Sequence, residues 1–385
     1  MQISIITANY PSVAHPNCGT FVEQLVKAWI RNNVRCSVIY PYKFHELIED
    51  RLAGKQDQDK SADLYQIRRP GYMSAGSRNI GALDTFHLTQ YFFEQATRRA
   101  FNSLDSRPEA VYGHFLYYGG AAAVRIGREN NLPSFVAVGE SSLWALKHRG
   151  VAGVIKEFRD VCGIVAVSSP LKRQLVSELG IPDSKIRVFP NGVDLDRFYP
   201  RDRRTMRKKF GLPETEFLVA FVGHFDHRKG VSRVCSALEG VKGIGLLLVG
   251  GGSCRPDGHF IRFKGIISHD QVPEMLSAAD IFVLPTLGEG SCNAILEALA
   301  CGLPVITSQG DFNDDIVTDQ CALRVDPEDV LAIRRAILLL KQDSLLRQTM
   351  TNAALAKAKM HNINQRSVSI LNWMESMKAM TRRVT

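Results

Sequence analysis

The chain has 385 residues with 45% hydrophobic content, which exceeds what one core usually organises and predicts two soluble domains of about 150 to 200 residues. The net charge of +9 is spread over both halves, which disfavours nucleic acid as a partner. Eight single cysteines without a CxxC pair argue against a zinc site or a disulfide framework and fit a reducing cytosol. The chain opens on a strand-like segment and lacks any run of about 18 apolar residues, so we expect a cytoplasmic protein.

Short apolar runs alternate with helical patterns along the chain, as in βα units around a parallel sheet. The first half contains six candidate strands: Ile3–Ala8, Cys36–Tyr40, Ala110–Tyr112, Ser134–Val138, Gly163–Val167 and Ile186–Phe189. The second half contains five: Leu218–Val222, Gly245–Val249, Ile261–Phe263, Ile281–Leu284 and Val305–Thr307. This rhythm predicts an α/β protein with two doubly wound domains.

Three features of the first half are candidates for binding. Gly19 precedes a helix predicted at Phe21–Arg31, and the amino end of a helix attracts anions. His114 and Glu140 each follow a predicted strand, where α/β proteins usually bind ligands. A structural histidine and a solvated glutamate are the alternative interpretations.

The polar, aperiodic stretch His45–Ser61 predicts a mobile surface loop.

The domain boundary is expected near residue 195. Turn residues begin at Pro190, and the segment up to Pro200 has no periodicity. The basic cluster Arg201–Lys209 that follows is interpreted as a solvated helix, with an anionic surface as the alternative partner. The last segment, Asn364–Thr385, has the pattern of an amphipathic helix around Trp373.

A basic loop, FVGHFDHRKGV at 221–231, follows the first strand of the second half. It contains His224, Arg228 and Lys229, and the last two carry full positive charges that can hold a phosphate. Histidine is only partly charged near neutral pH, so His224 contributes less. The loop is therefore a basic segment that follows a strand directly.

A second motif, LPTLGEGSCNAILEALACGLPVI, contains two glutamates, Glu289 and Glu297. A buried strand closes before it, and the helix predicted at Asn293–Cys301 starts within it, so an anion is favoured at the intervening turn. That turn consists of Gly290, Ser291, Cys292 and Asn293. Carboxylates accept hydrogen bonds from hydroxyl groups, so the motif fits a ligand with phosphate in its middle and polyols at both ends. A nucleoside diphosphate sugar has this shape. Two glutamates that coincide on a solvated helix face are the alternative.

This motif resembles the donor site of glycosyltransferase family 4, the "glycosyl transferases group 1" domain of the GT-B fold. The basic loop at 221–231, LLLVGGG at 246–252, FPNGVDLDRFYP at 189–200 and IITANYPSVAHPNCGTFVEQLVKAW at 5–29 resemble further family segments. Relatives usually carry an arginine where this chain has His224, and often a second glycine beside the position of Gly19. The resemblance covers most of the chain.

The resemblance implies two Rossmann-like domains that face each other across a cleft. Residues 1–195 would bind the acceptor, residues 196–362 the nucleotide-sugar donor, and the helix in 363–385 would pack back on the first domain. In the donor domain, Glu297 would bind the ribose, while Lys229 and the amides of the 290–293 turn would bind the diphosphate, with Gly19 facing it from the first domain. Glu289 would orient the sugar, and His224 and Arg228 would add to the cationic grip. His114 and Glu140 would lie on the acceptor side, and Glu289, Lys229 and His114 are the catalytic candidates.

The implied activity is the transfer of a hexosyl-type sugar, with retention, from a nucleotide sugar to a hydroxyl of a glycan or lipid-linked acceptor. The resemblance implies a role in polysaccharide or glycolipid biosynthesis and a cytoplasmic protein, with peripheral docking on the anionic inner face of the membrane as a further expectation. No metal or other cofactor is expected, and the D-x-D spacing at Asp194 and Asp196 is set aside because it lies in the linker. A GT-B epimerase or hydrolase and a non-catalytic GT-B scaffold are the alternatives. A nicotinamide-dependent oxidoreductase is disfavoured, because no G-x-G-x-x-G follows the first strand.

Overall fold

The computed structural model describes residues 1–13, 15–52, 60–76, 79–80 and 83–382. It divides into two compact units, one formed by Met1–Phe189 with the segment from Asn364, the other by Pro190–Ile363. The division thus falls a few residues before the predicted boundary at 195. The segment after Pro190 groups with the second unit because the N–H of Val193 bonds to the carbonyl of His361 (2.8 Å) and the carbonyl of Val193 accepts from Ile363 (3.0 Å).

The first unit is built on an eight-stranded sheet with the order β12-β11-β10-β9-β1-β2-β5-β4. Every pairing in it is parallel except that of β4 with β5. Its strands are β1 (Gln2–Ile6), β2 (Arg35–Ile39), β4 (Lys60–Ala62), β5 (Tyr65–Arg68), β9 (Ala110–His114), β10 (Ser134–Val138), β11 (Gly163–Ala166) and β12 (Ile186–Val188), and two small ribbons pair β3 (Tyr42–Lys43) with β6 (Gly71–Tyr72) and β7 (Asn79–Ile80) with β8 (Leu83–Asp84).

Helices cover both faces of this sheet, which explains why β1, β9 and β10 are buried along their whole length. They are α1 (Thr20–Arg31), α2 (Phe44–Leu52), α3 (Thr85–Asn102), α4 (Ala121–Asn130), α5 (Leu146–Phe158) and α6 (Ser169–Leu179), with helical turns at Phe115–Gly120 and Asp183–Lys185.

The second unit is built on a six-stranded, wholly parallel sheet with the order β15-β14-β13-β16-β17-β18. Its strands are β13 (Phe217–Val222), β14 (Ile244–Val249), β15 (Ile261–Gly265), β16 (Ile281–Leu284), β17 (Val305–Ser308) and β18 (Ala322–Val325). Its helices are α7 (Arg203–Lys209), α8 (Val231–Leu238), α9 (Val272–Ala278), α10 (Asn293–Ala300), α11 (Val330–Gln342) and α12 (Ser344–Met360), with a turn at Asp311–Asn313. The strand order reverses between β13 and β16, and α/β proteins bind ligands at such a switch point.

The C-terminal helix α13 (Ile363–Arg382) belongs, from Asn364 on, to the first unit. Trp373 packs its ring against Phe135 and Phe189, with ring centroids 6.0 and 5.8 Å away. The indole N–H of Trp29 in α1 donates to the carbonyl of Ser367 at 3.2 Å. In the part of the chain that the structure describes, none of the helices is both long and apolar enough to cross a membrane.

The predicted α/β class with two Rossmann-like domains is confirmed, and each of the eleven predicted strands is present to within two residues at either end. One expectation was wrong, and a second, the solvated helix at Arg201–Lys209, holds as helix α7 with one exception. The loop predicted at His45–Ser61 begins as helix α2, and residues 53–59 of that prediction lie outside the described residues. The basic cluster at Arg201–Lys209 is not simply solvated, because Arg207 is buried and its guanidinium contacts Asp280 at 2.7 Å.

Candidate functional site

The carboxylate of Glu289 lies in the loop between β16 and α10, and three side chains hold it. Its Oε1 accepts from the ammonium of Lys229 at 2.6 Å, from Nη1 of Arg228 at 2.9 Å and from the hydroxyl of Thr286 at 2.9 Å. The side chains of Glu289 and Lys229 are only 12% and 14% exposed. Among the described residues no hydrogen-bond partner is recorded for Oε2 of Glu289, so this oxygen remains open to a ligand.

The basic loop after β13 brings these two cations to Glu289. Asp226 organises the loop, since its Oδ1 accepts from the backbone N–H of Lys229 at 2.7 Å. Gly230 then adopts a left-handed φ of 83° as α8 begins, and a Cβ there would lie 2.7 Å from the carbonyl oxygen of Pro285. The loop therefore fits tightly against the start of the β16–α10 connection.

Electrostatics keeps Lys229 charged. Burial disfavours its ammonium, but the Cys292 thiolate that forms at high pH and the carboxylate of Glu289 outweigh this effect and raise the pKa of Lys229 above its ordinary value. Burial raises the pKa of the Cys292 thiol to about 11, so this thiol is neutral near pH 7. His224 stands apart from this pair, because it is 62% exposed and its Nδ1 lies 3.2 Å from Asp226.

Helix α10 starts directly beside this ion pair, as predicted for the strand-to-helix turn. Cys292 occupies its N-cap position without a capping hydrogen bond from the side chain, because a thiol sulfur is a weak acceptor. Gly290 is buried, and the hydroxyl oxygen of Ser291 accepts from the backbone N–H of Asn191 at 3.1 Å. Among the described residues, the buried Oδ1 of Asn293 has no hydrogen-bond partner. The positive dipole end of α10 suits an anion, whereas the Asn293 oxygen can only accept a hydrogen bond from a ligand N–H or O–H.

Glu297 projects from the second turn of α10, and the structure pairs it with a histidine. Its Oε1 lies 2.8 Å from Nε2 of His269, and the two side chains are 10% and 17% exposed. Glu289 and Glu297 therefore share one arrangement: each carboxylate is fixed through Oε1, and none of the described residues is recorded as a partner of Oε2.

In the first unit, the predicted residues Gly19 and His114 lie close together at the carboxyl ends of β1 and β9. Gly19 has a φ of 65° at the start of α1, and a Cβ would lie 2.3 Å from the carbonyl of Asn9, so the backbone itself requires this glycine. The next residue but one, Phe21, places its ring edge-on to His114, with centroids 6.0 Å apart. Burial, assisted by the positive charge of Arg366, lowers the pKa of His114 to about 3. His114 is thus a neutral imidazole, and its buried Nε2 has no partner among the described residues.

Glu140 follows β10, next to the segment that continues from His114. Its carboxylate accepts from the backbone N–H of Leu116 and, at 2.9 Å, from that of Gly139. Burial raises the pKa of Glu140 to about 7, although these N–H groups favour the ionised form and oppose the rise. The structure therefore places the three predicted residues of the first unit, Gly19, His114 and Glu140, at one edge of its sheet.

Sequence reasoning missed three residues of the second unit's site: His269, Thr286 and Asp226. His269 and Thr286 hold the two glutamates, and Asp226 shapes the loop of Lys229. Asp226 belongs to the basic loop at 221–231. An acidic residue just before Arg228 and Lys229 is a pattern from which its contact with this loop could have been predicted. His269 is remote from Glu297 in sequence, and no local pattern marks it.

Two family models match the chain. The model "Glycosyl transferases group 1" matches residues 202–357, and "Glycosyltransferase Family 4" matches residues 18–197. The putative teichuronic acid biosynthesis glycosyltransferase TuaC of Bacillus subtilis (strain 168) is 27% identical over 354 residues, which cover 88% of this chain and 88% of that protein.

Solved structures share the fold over nearly the whole length. Sucrose-phosphate synthase (tll1590) from Thermosynechococcus elongatus superposes with a TM-score of 0.79 at 18% identity, covering 99% of this chain and 100% of that one. Anabaena Alr3699/HepE, in complex with UDP and glucose, gives 0.72 at 14% identity, covering 98% and 100%. At these identities the likeness shows the fold alone.

Proposed function

Since the chain belongs to the glycosyl transferases group 1 of glycosyltransferase family 4 and has the GT-B fold, we propose that it transfers a hexosyl-type sugar from a nucleoside diphosphate sugar to a hydroxyl group. One observation carries the proposal beyond the family. Lys229, Glu289 and the open amino end of α10 lie together, with Glu297 further along the same helix. This arrangement offers a cation and helix N–H groups to a diphosphate, and a carboxylate on either side of it.

The two glutamates would bind the two ends of the donor through their open oxygens. Oε2 of Glu297 would accept hydrogen bonds from the ribose hydroxyls, and Oε2 of Glu289 would accept from hydroxyls of the transferred sugar. Because Oε1 of each is already held by protein donors, neither carboxylate has to be ordered when the donor arrives. Glu289 acts in this proposal as a positioning group for the sugar and not as a nucleophile.

Lys229 would stabilise the leaving phosphate. An ammonium has three N–H donors, and only one is needed for Glu289, so others can reach a phosphate oxygen. Positive charge near the departing oxygen is worth most in a water-poor site, and Lys229 is only 14% exposed. Arg228 supplies a second full charge nearby, where His224 supplies at most a partial one.

Retention of the anomeric configuration is part of the proposal. The acceptor hydroxyl would attack the face from which the phosphate departs, and the phosphate oxygen would take its proton. In the first unit His114 and Glu140 would orient the acceptor. A histidine with a pKa near 3 is neutral, so His114 would act as a hydrogen-bonding group and not as a general acid. Proton NMR of the product's anomeric signal tests whether the configuration is retained, and an inverted product would contradict retention.

The reaction is proposed to need no metal, since Lys229, Arg228 and the helix dipole would neutralise the diphosphate. In the linker, Oδ1 of Asp194 accepts from the backbone N–H of Asp196 at 3.1 Å, which supports a role for this carboxylate in shaping the turn. Activity should survive EDTA, and strict restoration by Mn²⁺ after EDTA would defeat this part of the proposal.

The acceptor is proposed to be a glycan or a lipid-linked glycan in polysaccharide or glycolipid biosynthesis, which is supported by the similarity to a putative teichuronic acid biosynthesis glycosyltransferase of Bacillus subtilis. A cytoplasmic protein of this kind would meet a lipid-linked acceptor at an anionic membrane surface. Helix α7 contributes less to that attraction than its sequence suggests, because Arg203, Arg204, Arg207 and Lys209 each pair with an acidic residue. Sedimentation with anionic vesicles tests the docking, and absence of binding would remove it.

One assay tests the central proposal: release of the nucleoside diphosphate from UDP-, GDP- and ADP-sugars, followed with a labelled sugar. We expect one class of donor to be consumed and the label to appear on an added acceptor. Label recovered as free sugar would indicate a hydrolase, and label recovered as an isomeric nucleotide sugar an epimerase. No binding of any nucleotide in calorimetry would indicate a non-catalytic scaffold.

A further inference from the structure

We infer that His269 is a positioning residue that fixes the carboxylate of Glu297 for recognition of the donor's ribose. This inference rests on the proposed function, because it assigns a partner to the glutamate that would bind the nucleoside. The contact itself joins Nε2 of His269 to Oε1 of Glu297 at 2.8 Å.

The direction of this hydrogen bond follows from the chemistry of the two groups. An ionised carboxylate only accepts, so the proton must lie on Nε2 of His269. The bond thereby specifies one role for each oxygen of Glu297, with Oε1 bound to the protein and Oε2 left for a ligand. A carboxylate without such a donor can rotate about its last torsion, which has a broad preference.

His269 is itself held in place by the segment before α7. Its ring packs against that of Phe198 with centroids 5.4 Å apart, and Phe198 is fully buried. The next residue, Asp270, pairs with Arg197 at 3.0 Å. The packing on the buried Phe198 therefore holds the turn between β15 and α9 where it presents His269 to Glu297, and the ion pair of Asp270, which is 89% exposed, adds little.

The hydrogen bond between His269 and Glu297 is important because both side chains are largely buried. The side chains of Glu297 and His269 are 10% and 17% exposed, so water has little room to replace the imidazole as a donor. A buried carboxylate that loses a donor is left undersatisfied, and it then turns toward whatever polar group is near. Without His269, Oε2 would no longer be reserved for the ligand.

Two substitutions separate the hydrogen bond from the ring packing. His269→Phe keeps a ring against Phe198 but removes the N–H donor. His269→Gln removes the ring but has an amide N–H₂ on a side chain long enough to take the place of Nε2. The probes are UDP, GDP and ADP, together with the 2′-deoxy and 3′-deoxy analogues of whichever nucleotide the wild-type protein binds best.

We expect His269→Phe to raise the dissociation constant of that nucleotide by about 10- to 100-fold, the size of a lost hydrogen bond to a charged group. The preference of the wild-type protein for the ribonucleotide over its deoxy analogues should shrink in the variant. The KM for the donor should rise while kcat stays within about threefold, because the contact is to the ribose side and not to the reacting sugar. His269→Gln should recover most of the wild-type affinity and preference.

Three results overturn the inference. They are an unchanged nucleotide affinity in His269→Phe, an unchanged ribose preference, and equal damage by Phe and Gln, which would assign the effect to packing. If His269→Phe does not fold, His269→Asn replaces it, because its amide is too short to reach Glu297. A wild-type protein that binds none of the three nucleotides would instead refute the proposed function. Nucleotide binding by the wild-type protein with no effect of His269 would refute only this inference.

Discussion

Replacement of Lys229 by methionine tests the donor site most directly. The substitution keeps an unbranched side chain of similar length and removes the charge, so the loop that ends at Gly230 need not move. It breaks the 2.6 Å contact to Glu289, which still keeps Arg228 and Thr286, both at 2.9 Å. The free energy of unfolding should therefore fall only slightly, whereas kcat should fall strongly.

The two magnitudes can be compared. A buried carboxylate left wholly unpaired costs about 3 to 5 kcal/mol, but Glu289 retains two donors, so we expect the free energy of unfolding to fall by about 1 to 2 kcal/mol. Loss of one group that stabilises developing negative charge costs about 2.7 to 4 kcal/mol of activation free energy, or a factor of about 10² to 10³ in kcat. A domain with about 5 to 15 kcal/mol of stability stays folded after the smaller loss, so lost turnover would reflect the site.

The assay is the initial rate of nucleotide release from the preferred donor, together with urea unfolding of the same preparation. Arg228→Met is the matched control, because Arg228 binds the same oxygen of Glu289 but is 40% exposed, and its loss should lower kcat by about tenfold or less. If Lys229→Met turns over within about threefold of the wild-type rate, the assignment of Lys229 to the leaving phosphate is refuted.

Three further predictions concern the first unit. From pH 5 to pH 8, Glu140→Gln should gain up to about 3 kcal/mol of stability relative to wild type, because a pKa of about 7 makes ionisation of Glu140 costly only in the folded state. Urea unfolding at both pH values measures this, and a pH-independent difference would contradict it. Between pH 6.5 and pH 4.5, the free energy of unfolding of the wild-type protein should fall by about 2 to 3 kcal/mol, and that of His114→Gln should not show this loss. The reason is that His114 has a pKa of about 3 in the folded state, so over this range the histidine is protonated in the unfolded state only. Parallel unfolding curves for the two proteins would count against it. Gly163→Ala should lower stability by about 1 to 3 kcal/mol, since its Cβ would lie 2.6 Å from the ring of Trp373. Thermal unfolding measures this loss of stability. Gly153→Ala is the control that should lose less stability, because the nearest atom to its added Cβ lies 3.7 Å away.

Most of the fold could be predicted from the sequence, because buried parallel strands read as uninterrupted apolar runs. The strands that escaped prediction are those that break this rule. In β5 and β18 only part of each strand is buried, and Gln66 or Arg324 interrupts the apolar run. Helix α2 was mistaken for a loop because its acidic residues hid an apolar set at helical spacing, Phe44, Leu47 and Ile48.

The members of the site were easier to predict than its contacts. Glu289 and Glu297 stand in one motif, and the strand and helix around them are local patterns. Thr286 stands in the same motif, but the charged partners Arg228, Lys229 and His269 come from other loops, because the carboxyl ends of parallel strands gather residues that are remote in sequence. Lys229 was recognised by resemblance, whereas His269 belongs to a turn with no distinctive composition. Sequence therefore predicted which groups are present and left open which of them neutralise one another.

The neutralisation changes how the substitution of His224 for the usual arginine should be interpreted. By sequence alone, the loop lacks one of two full positive charges that could bind a diphosphate. In the structure, Glu289 consumes about one positive charge, and both Lys229 and Arg228 contact it, so one net positive charge remains at the amino end of α10. His224 is 62% exposed and bonded to Asp226, so restoring an arginine there would add a charge that Asp226 largely compensates. The second cation of this site is therefore Arg228, and His224→Arg should change donor affinity less than Arg228→Met does.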